Sequence, residues 1–152
     1  MALDKICYRL AVPSDIILIT QFVDYWLSGR GQKEKAIGAV NDYFVSNKQH
    51  KDYLRKFTVL LALDDSTIVG WAVKTKPNTL IHLLIAGNYR GQGIGREMVR
   101  IMAPDFIRSK VDQSTGNPKR FYTKLGFSTT EGPLVGKNNN IELLARSGRP
   151  TL

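Results

Sequence analysis

The stretch Thr79-Leu80-Ile81-His82-Leu83-Leu84-Ile85-Ala86 is nearly continuously apolar and runs almost directly into Tyr89-Arg90-Gly91-Gln92-Gly93-Ile94-Gly95-Arg96. Such a run argues for a central strand covered on both faces, and the residues after the glycines read as the start of a helix. Three glycines at alternate positions leave backbone N–H groups unobstructed where that helix begins, which suits a phosphate group. Arg90, Gln92 and Arg96 supply charge and donors around it. A glycine turn alone does not separate a phosphate cradle from a plain loop, so the flanking residues decide.

With 152 residues, 43% of them hydrophobic, the chain can bury a core as one domain without metals or disulfides. The expected unit is residues 1–146, followed by a flexible tail over 147–152. Met1 to Asp4 carry an acid and no apolar targeting core, and no apolar run approaches a membrane span. A soluble, cytoplasmic protein without membrane partners is therefore expected. The single cysteine, Cys7, lies in an apolar run and reads as a buried, inert thiol, with no support for a cysteine nucleophile or a metal site. A formal net charge of +9 fits anionic partners or simply a cationic surface. The densest basic stretch, Lys48 to Lys56, interleaves Tyr53 with cations and could touch nucleic acid, although a solvated helix end or loop explains it as well.

Lys5 to Ala11 reads as a first strand, and Ser14 as the N-cap of a helix reaching about Trp26. Gly29-Arg30-Gly31 breaks that helix, and Glu34 to Val45 carries a second amphipathic pattern through Ile37, Val40, Tyr43 and Phe44. Phe57–Leu63 and Thr67–Lys74 form a hairpin across Asp64-Asp65-Ser66, and Pro77-Asn78 turns the chain into the central strand. A helix over Gly95–Ile107 carries Met98, Ile101 and Met102, with Pro104 bending or ending it. A short strand follows at Lys110–Gln113, then a helix over Lys119–Leu125 stopped by Gly126. Strands at Phe127–Thr129 and Ile141–Ala145, separated by the polar loop Gly132–Asn140, close the order.

A nucleotide-binding Rossmann unit is one reading of the turn, since Asp112 falls near the distance expected of a ribose-binding acid. Against it stand glycines spaced G-x-G-x-G, a turn past mid-chain, and too few residues afterwards for a doubly wound sheet. No Gly-Lys-Ser/Thr is present, which removes the P-loop NTPases.

Arg90-Gly91-Gln92-Gly93-Ile94-Gly95 resembles the acyl-CoA signature Arg/Gln-x-x-Gly-x-Gly/Ala of the GCN5-related N-acetyltransferase (GNAT) superfamily. Arg120-Phe121-Tyr122-Thr123-Lys124-Leu125-Gly126-Phe127 resembles that family's Phe-Tyr-x-x-Leu-Gly-Phe segment, and the order of elements is similar over nearly the whole chain. The resemblance implies an α/β fold in which a mixed sheet, flanked by helices, splays after the central strand to admit acetyl-CoA. The pyrophosphate would lie on Arg90, Gly91, Gln92, Gly93, Ile94, Gly95 and Arg96, where the helix N-terminus contributes about 0.3 to 2 kcal/mol. Backbone groups of Leu84, Ile85 and Ala86 would pair with the pantetheine arm like an added strand. Asn117 is a further CoA contact by resemblance, in a Gly-Asn-Pro loop that departs from the usual pattern.

Acetyl transfer from a thioester to an amine needs a neutral nucleophile, an oxyanion donor and a proton for the departing thiolate. Tyr122 matches the family's tyrosine acid, the alternative being a core aromatic with a satisfied hydroxyl. Ile85 would offer the oxyanion amide. Many relatives carry a Glu or His base on the central strand, and here only His82 is available, with a reference pKa near 6.5. Strand alternation groups His82 with Leu80 and Leu84, so a buried structural histidine is an equal reading. Asp112 is the other candidate base.

Without a strong base, an α-amine, costing about 1.4 kcal/mol to deprotonate at pH 7, suits the site better than a lysine at about 4.6 kcal/mol. Acceptors expected on this basis are a peptide or protein N-terminus or a small-molecule amine. Aminoacyl-tRNA, as in toxin-like relatives, and a non-catalytic acyl-CoA-binding module are the alternatives; a homodimer is left open.

Overall fold

Residues 5–28, 45–110, 118–136 and 139–147 are described by the computed structural model. They form strands β1 (Ile6–Leu10), β2 (Thr58–Asp64), β3 (Thr67–Thr75), β4 (Thr79–Ile85), β5 (Phe106–Lys110), β6 (Phe127–Thr129) and β7 (Ile141–Arg146). The helices are α1 (Ile16–Ser28), α2 (Asn47–Lys56), α3 (Ile94–Met102) and α4 (Lys119–Lys124). The strands make one mixed sheet in the order β1-β2-β3-β4-β5-β7-β6, in which only β4 and β5 run parallel.

Alternation along the strands feeds two cores. Val59, Leu61, Leu63, Trp71, Val73 and Leu84 pack with Ile19, Phe22, Val23 and Leu27 of α1 on one face. Leu60, Ala62, Ala72, Leu80 and Ile107 pack with Ile94, Met98, Val99 and Met102 of α3, and with Tyr122 of α4, on the other. The middle strands are covered on both faces, which is why their sequences read as continuous apolar runs. Gly70 lets α3 lie close, since a Cβ there would sit 2.8 Å from Met98 Sδ and 3.1 Å from Ala62 Cβ.

Two irregularities shape β4 and its surroundings. Val73 pairs with His82 while Lys74 pairs with Leu80, leaving Ile81 as an extra residue in β4. This bulge reverses the alternation, so Leu80 lies on the α3 face, whereas His82 and Leu84 lie on the α1 face. The grouping of His82 with both leucines expected from simple alternation is thereby corrected. The second irregularity is a gap: β4 and β5 pair only at Thr79↔Phe106 and Leu80↔Ile107, although both strands continue beyond.

Several sequence expectations shift. Helix α3 stops at Ala103, a left-handed residue at φ 45 ahead of Pro104, rather than running to Ile107. Proline disfavours helical geometry before it and offers no N–H, while Lys74 Nζ and Asn78 Nδ2 donate to the carbonyls of Met102 and Ala103 at 2.6 and 3.0 Å. The next strand accordingly begins at Phe106 instead of Lys110. Ser14 is not the N-cap of α1; it lies in a 3-10 turn, Pro13–Asp15, capped at Val12, in which Asp15 accepts from Val12 N–H at 2.8 Å and grips Arg9 at 2.8 and 2.9 Å. Cys7 is exposed, because β1 is an edge strand whose alternation turns Ile6 inward. The Lys48–Lys56 stretch is helix α2, capped by Ser46, with His50 buried. Of the helix expected over Glu34–Val45 only Val45 is described, and it is buried against the first core. Among the described residues no helix is long and apolar enough to cross a membrane.

Candidate active site

Where β4 and β5 separate, the sheet is open along one side of β4. Ala86 N–H donates to Val69 C=O at 2.9 Å, and Ala86 C=O accepts from Tyr89 N–H at 2.9 Å. Backbone groups alternate in direction along a strand, so Leu84, like Ala86, faces β3, while Leu83 and Ile85 face the gap. Of the three residues expected to offer backbone groups, Ile85 alone is so placed. Leu83 joins it, a residue the resemblance did not point to.

A groove of about 320 Å³ follows this edge, lined by Leu83 and Ile85 of β4, the turn residues Tyr89 to Gly91, the start of α3, and Pro118, Phe121 and Tyr122. Gly93, at φ 89, caps α3 in the left-handed region that favours glycine. The first intrahelical bond here is Glu97 N–H to Gly93 C=O at 3.0 Å, so the amides of Ile94, Gly95 and Arg96 have no partner within the helix. They form the positive end of the helix dipole at the groove. Gly95 keeps this end open, since a Cβ would meet Phe121 Cζ at 3.2 Å. Arg90 and Arg96 line the groove, Arg90 with its Nε 3.3 Å from the Gly87 carbonyl. Gln92 Oε1 is buried in the turn without a hydrogen-bond partner among the described residues.

The groove's inner end is shared with a smaller chamber of about 40 Å³ on the α1 face, the two meeting at Leu83, Pro118 and Tyr122. Tyr122 is buried, and burial pushes its hydroxyl well above the ordinary phenol range, so it stays protonated at neutral pH. His82 also lines the chamber, stacked on Trp71 at 4.9 Å between centroids, with Nε2 3.0 Å from the Tyr53 hydroxyl. Burial, then Lys110 and Arg108, hold its pKa well below the ordinary histidine value. Arg108 and Lys110 enter the chamber from β5, on the face opposite the buried Ile107 and Ser109. Lys110 is pushed down to about 8 by burial and by Arg108. Placing β5 too late in the sequence concealed both cations, although the alternation Ile107-Arg108-Ser109-Lys110 is that of a strand with one charged face. Asp112 and Asn117 lie outside the described residues.

The arrangement has the N-terminal amides of α3 at one end, an unpaired strand edge along the middle, and a buried hydroxyl beside a small basic chamber at the other end.

Residues 55–129 match the acetyltransferase (GNAT) domain family. The fold is shared with solved structures at low identity. PaiA N-acetyltransferase from Thermoplasma acidophilum, in complex with coenzyme A, is 18% identical with a TM-score of 0.66, covering 96% of this chain and 99% of that one. YncA from Salmonella typhimurium, with its cofactor acetyl-CoA, gives 16% identity and 0.64 over 97% and 96%. Ard1 from Thermoplasma volcanium gives 16% and 0.63 over 95% and 99%. Among curated proteins no sequence matches significantly.

Proposed function

The chain belongs to the GNAT superfamily, and from that premise we propose that it transfers the acetyl group of acetyl-CoA to a primary amine, on a peptide or protein N-terminus or a small molecule. The observation that carries this reading is the single groove joining the free amides of α3 to Tyr122 along the unpaired edge of β4.

In this reading the pyrophosphate lies on the amides of Ile94, Gly95 and Arg96, with Arg90 and Arg96 beside it. The pantetheine arm pairs with Leu83 and Ile85, and the thioester reaches the junction at Tyr122. The amine attacks the carbonyl carbon directly and the Ile85 N–H serves the oxyanion; the Tyr122 hydroxyl gives its proton to the departing sulfur as the C–S bond breaks, and the proton that the nitrogen loses as the amide forms returns to the tyrosinate. His82 is a poor base in this setting, because it is buried, and Lys110 and Arg108 nearby add to the cost of charging it. The acceptor is therefore taken in its neutral form, which favours an α-amine of pKa about 8 over a lysine.

Free-thiol release from acetyl-CoA, measured against amino acids, peptides, polyamines, aminoglycosides and aminoacyl-tRNA, tests the proposal. Turnover on peptides or small amines supports it, turnover confined to aminoacyl-tRNA moves the assignment there, and CoA binding without any turnover marks a binding module.

A further inference from the structure

Resting on the acetyl-transfer reading, we propose that Asp64, acting through Tyr89, is a positioning residue for the CoA pyrophosphate. The turn assigned to that group has little to hold it from within. Gly91 and Gly93 stand in the left-handed region at φ 78 and 89, and a backbone without Cβ atoms has many other conformations open to it. The amides of Ile94, Gly95 and Arg96 are bonded to no carbonyl within the helix. Restraint comes instead from the upstream end, the 3-10 turn Gly87–Tyr89. Gly87 packs on Trp26 of α1 so closely that a Cβ would lie 2.8 Å from Cζ3. Tyr89 N–H donates to Ala86 C=O at 2.9 Å, its ring packs against both cores, and its hydroxyl donates to Asp64 Oδ2 at 2.7 Å. Asp64 ends β2, which β3 separates from β4, so this bond ties the turn back to the sheet across a whole strand. A carboxylate acceptor makes it a strong bond, and the same bond raises the phenol's pKa, which keeps the donor proton in place. Arg90 is carried by the same 3-10 turn, its N–H and Nε both donating to Gly87 C=O, at 3.4 and 3.3 Å. Tyr89, Arg90, Gly91 and Gly93 all line the groove, so a shift at Tyr89 passes to the residues beside the pyrophosphate. Leu83 and Ile85 are anchored separately, because Ala86 N–H holds the end of β4 to Val69 C=O. Without the Tyr89–Asp64 bond, CoA would have to order the turn as it binds, and affinity falls by that ordering cost.

Calorimetric Kd values for CoA and for pantetheine, which lacks the pyrophosphate, test this without requiring turnover. Tyr89→Phe keeps the ring and removes the hydroxyl. The expected result is CoA affinity weaker by about tenfold, the range for a hydrogen bond to a charged group, with pantetheine affinity unchanged. Asp64→Asn and Asp64→Ala remove the same charge and differ in the acceptor, so Asp64→Asn should bind CoA about tenfold more tightly than Asp64→Ala. Tyr89→Phe combined with Asp64→Ala should bind no more weakly than Asp64→Ala alone, since both changes break one bond. In acetyl-CoA turnover the loss falls on KM, with kcat near wild type. Thr130→Val, which removes the hydroxyl donor to Leu143 C=O at 3.1 Å just beyond β6, keeps the wild-type Kd. Wild-type CoA affinity in Tyr89→Phe would overturn the positioning role while leaving the acetyl-transfer reading intact. So would equal affinity of Asp64→Asn and Asp64→Ala beside a weakened Tyr89→Phe, which would put the hydroxyl on the ligand itself. Pantetheine binding weakened as much as CoA binding would likewise overturn it, marking a general loosening of the fold. Wild-type protein that binds no CoA would overturn the acetyl-transfer reading and this inference with it.

Discussion

At Tyr122 burial and position act together: the hydroxyl is kept protonated beside the point where the groove meets the chamber. Tyr122→Phe removes the proton donor with little change in volume, so kcat should fall by about a hundredfold or more while CoA affinity stays near wild type. Steady-state kinetics alongside CoA titration separates the two effects. The acceptor's protonation should govern the pH profile: kcat/KM rises with pH toward the amine's own pKa, and His82→Asn leaves that midpoint in place. His50 governs acid stability. Burial lowers its pKa to about 4 in the folded protein, against about 6.5 when unfolded. The unfolded chain therefore binds the extra proton first as pH falls, and stability present above 6.5 is lost progressively toward 4, by about 3 kcal/mol. His82 shifts in the same direction. Thermal unfolding from pH 7 to pH 4.5 should show the decline, less steep in His50→Gln once measured from its own neutral-pH stability.

Among the elements, β4 does most to position the site, through one extra residue and one missing partner. Ile81 turns His82 toward Trp71 and leaves Leu83 and Ile85 facing the gap, and the early end of β4–β5 pairing creates that gap. Helix α3 completes the groove only because Gly70 lets it pack tightly. Gly70→Ala should cost about 1 to 3 kcal/mol by overpacking against Met98 and Ala62, whereas Gly132→Ala, whose Cβ meets only Thr130 Oγ1 at 3.6 Å, should be near neutral. Urea denaturation midpoints check both. These elements also explain what the sequence made legible. The glycine turn, the hairpin, the central strand and Tyr122 are written in local pattern, as glycine spacing, apolar runs and the Phe-Tyr segment. The bulge at Ile81 is not, because it arises from pairing with β3, and with it went the separation of His82 and Leu84 from Leu80. Arg108 and Lys110 were missed because the helix was carried on to Ile107 and the next strand was placed only from Lys110, whereas the helix ends before Pro104 and the strand begins at Phe106. Cys7 was misjudged because an apolar neighbourhood in sequence says nothing of a strand's place at the sheet edge.

For the molecule as a whole, a seven-stranded sheet with helices on both faces divides the work. The α3 face supplies the N-terminal amides of α3, the α1 face supplies a small basic chamber, and the gap between β4 and β5 connects them. Because the folded protein alone presents this groove, CoA should raise the melting temperature, with stabilisation of about 2.7 kcal/mol at a hundred times its Kd. Calorimetry with CoA and with 3′-dephospho-CoA measures it. The most direct measurement of the central claim is a crystal structure with CoA bound. The account predicts the pyrophosphate on the amides of Ile94 to Arg96, the pantetheine arm against Leu83 and Ile85, and the sulfur within hydrogen-bonding distance of the Tyr122 hydroxyl. CoA bound elsewhere, or a sulfur remote from Tyr122 with β4 and β5 paired along their length, would contradict it.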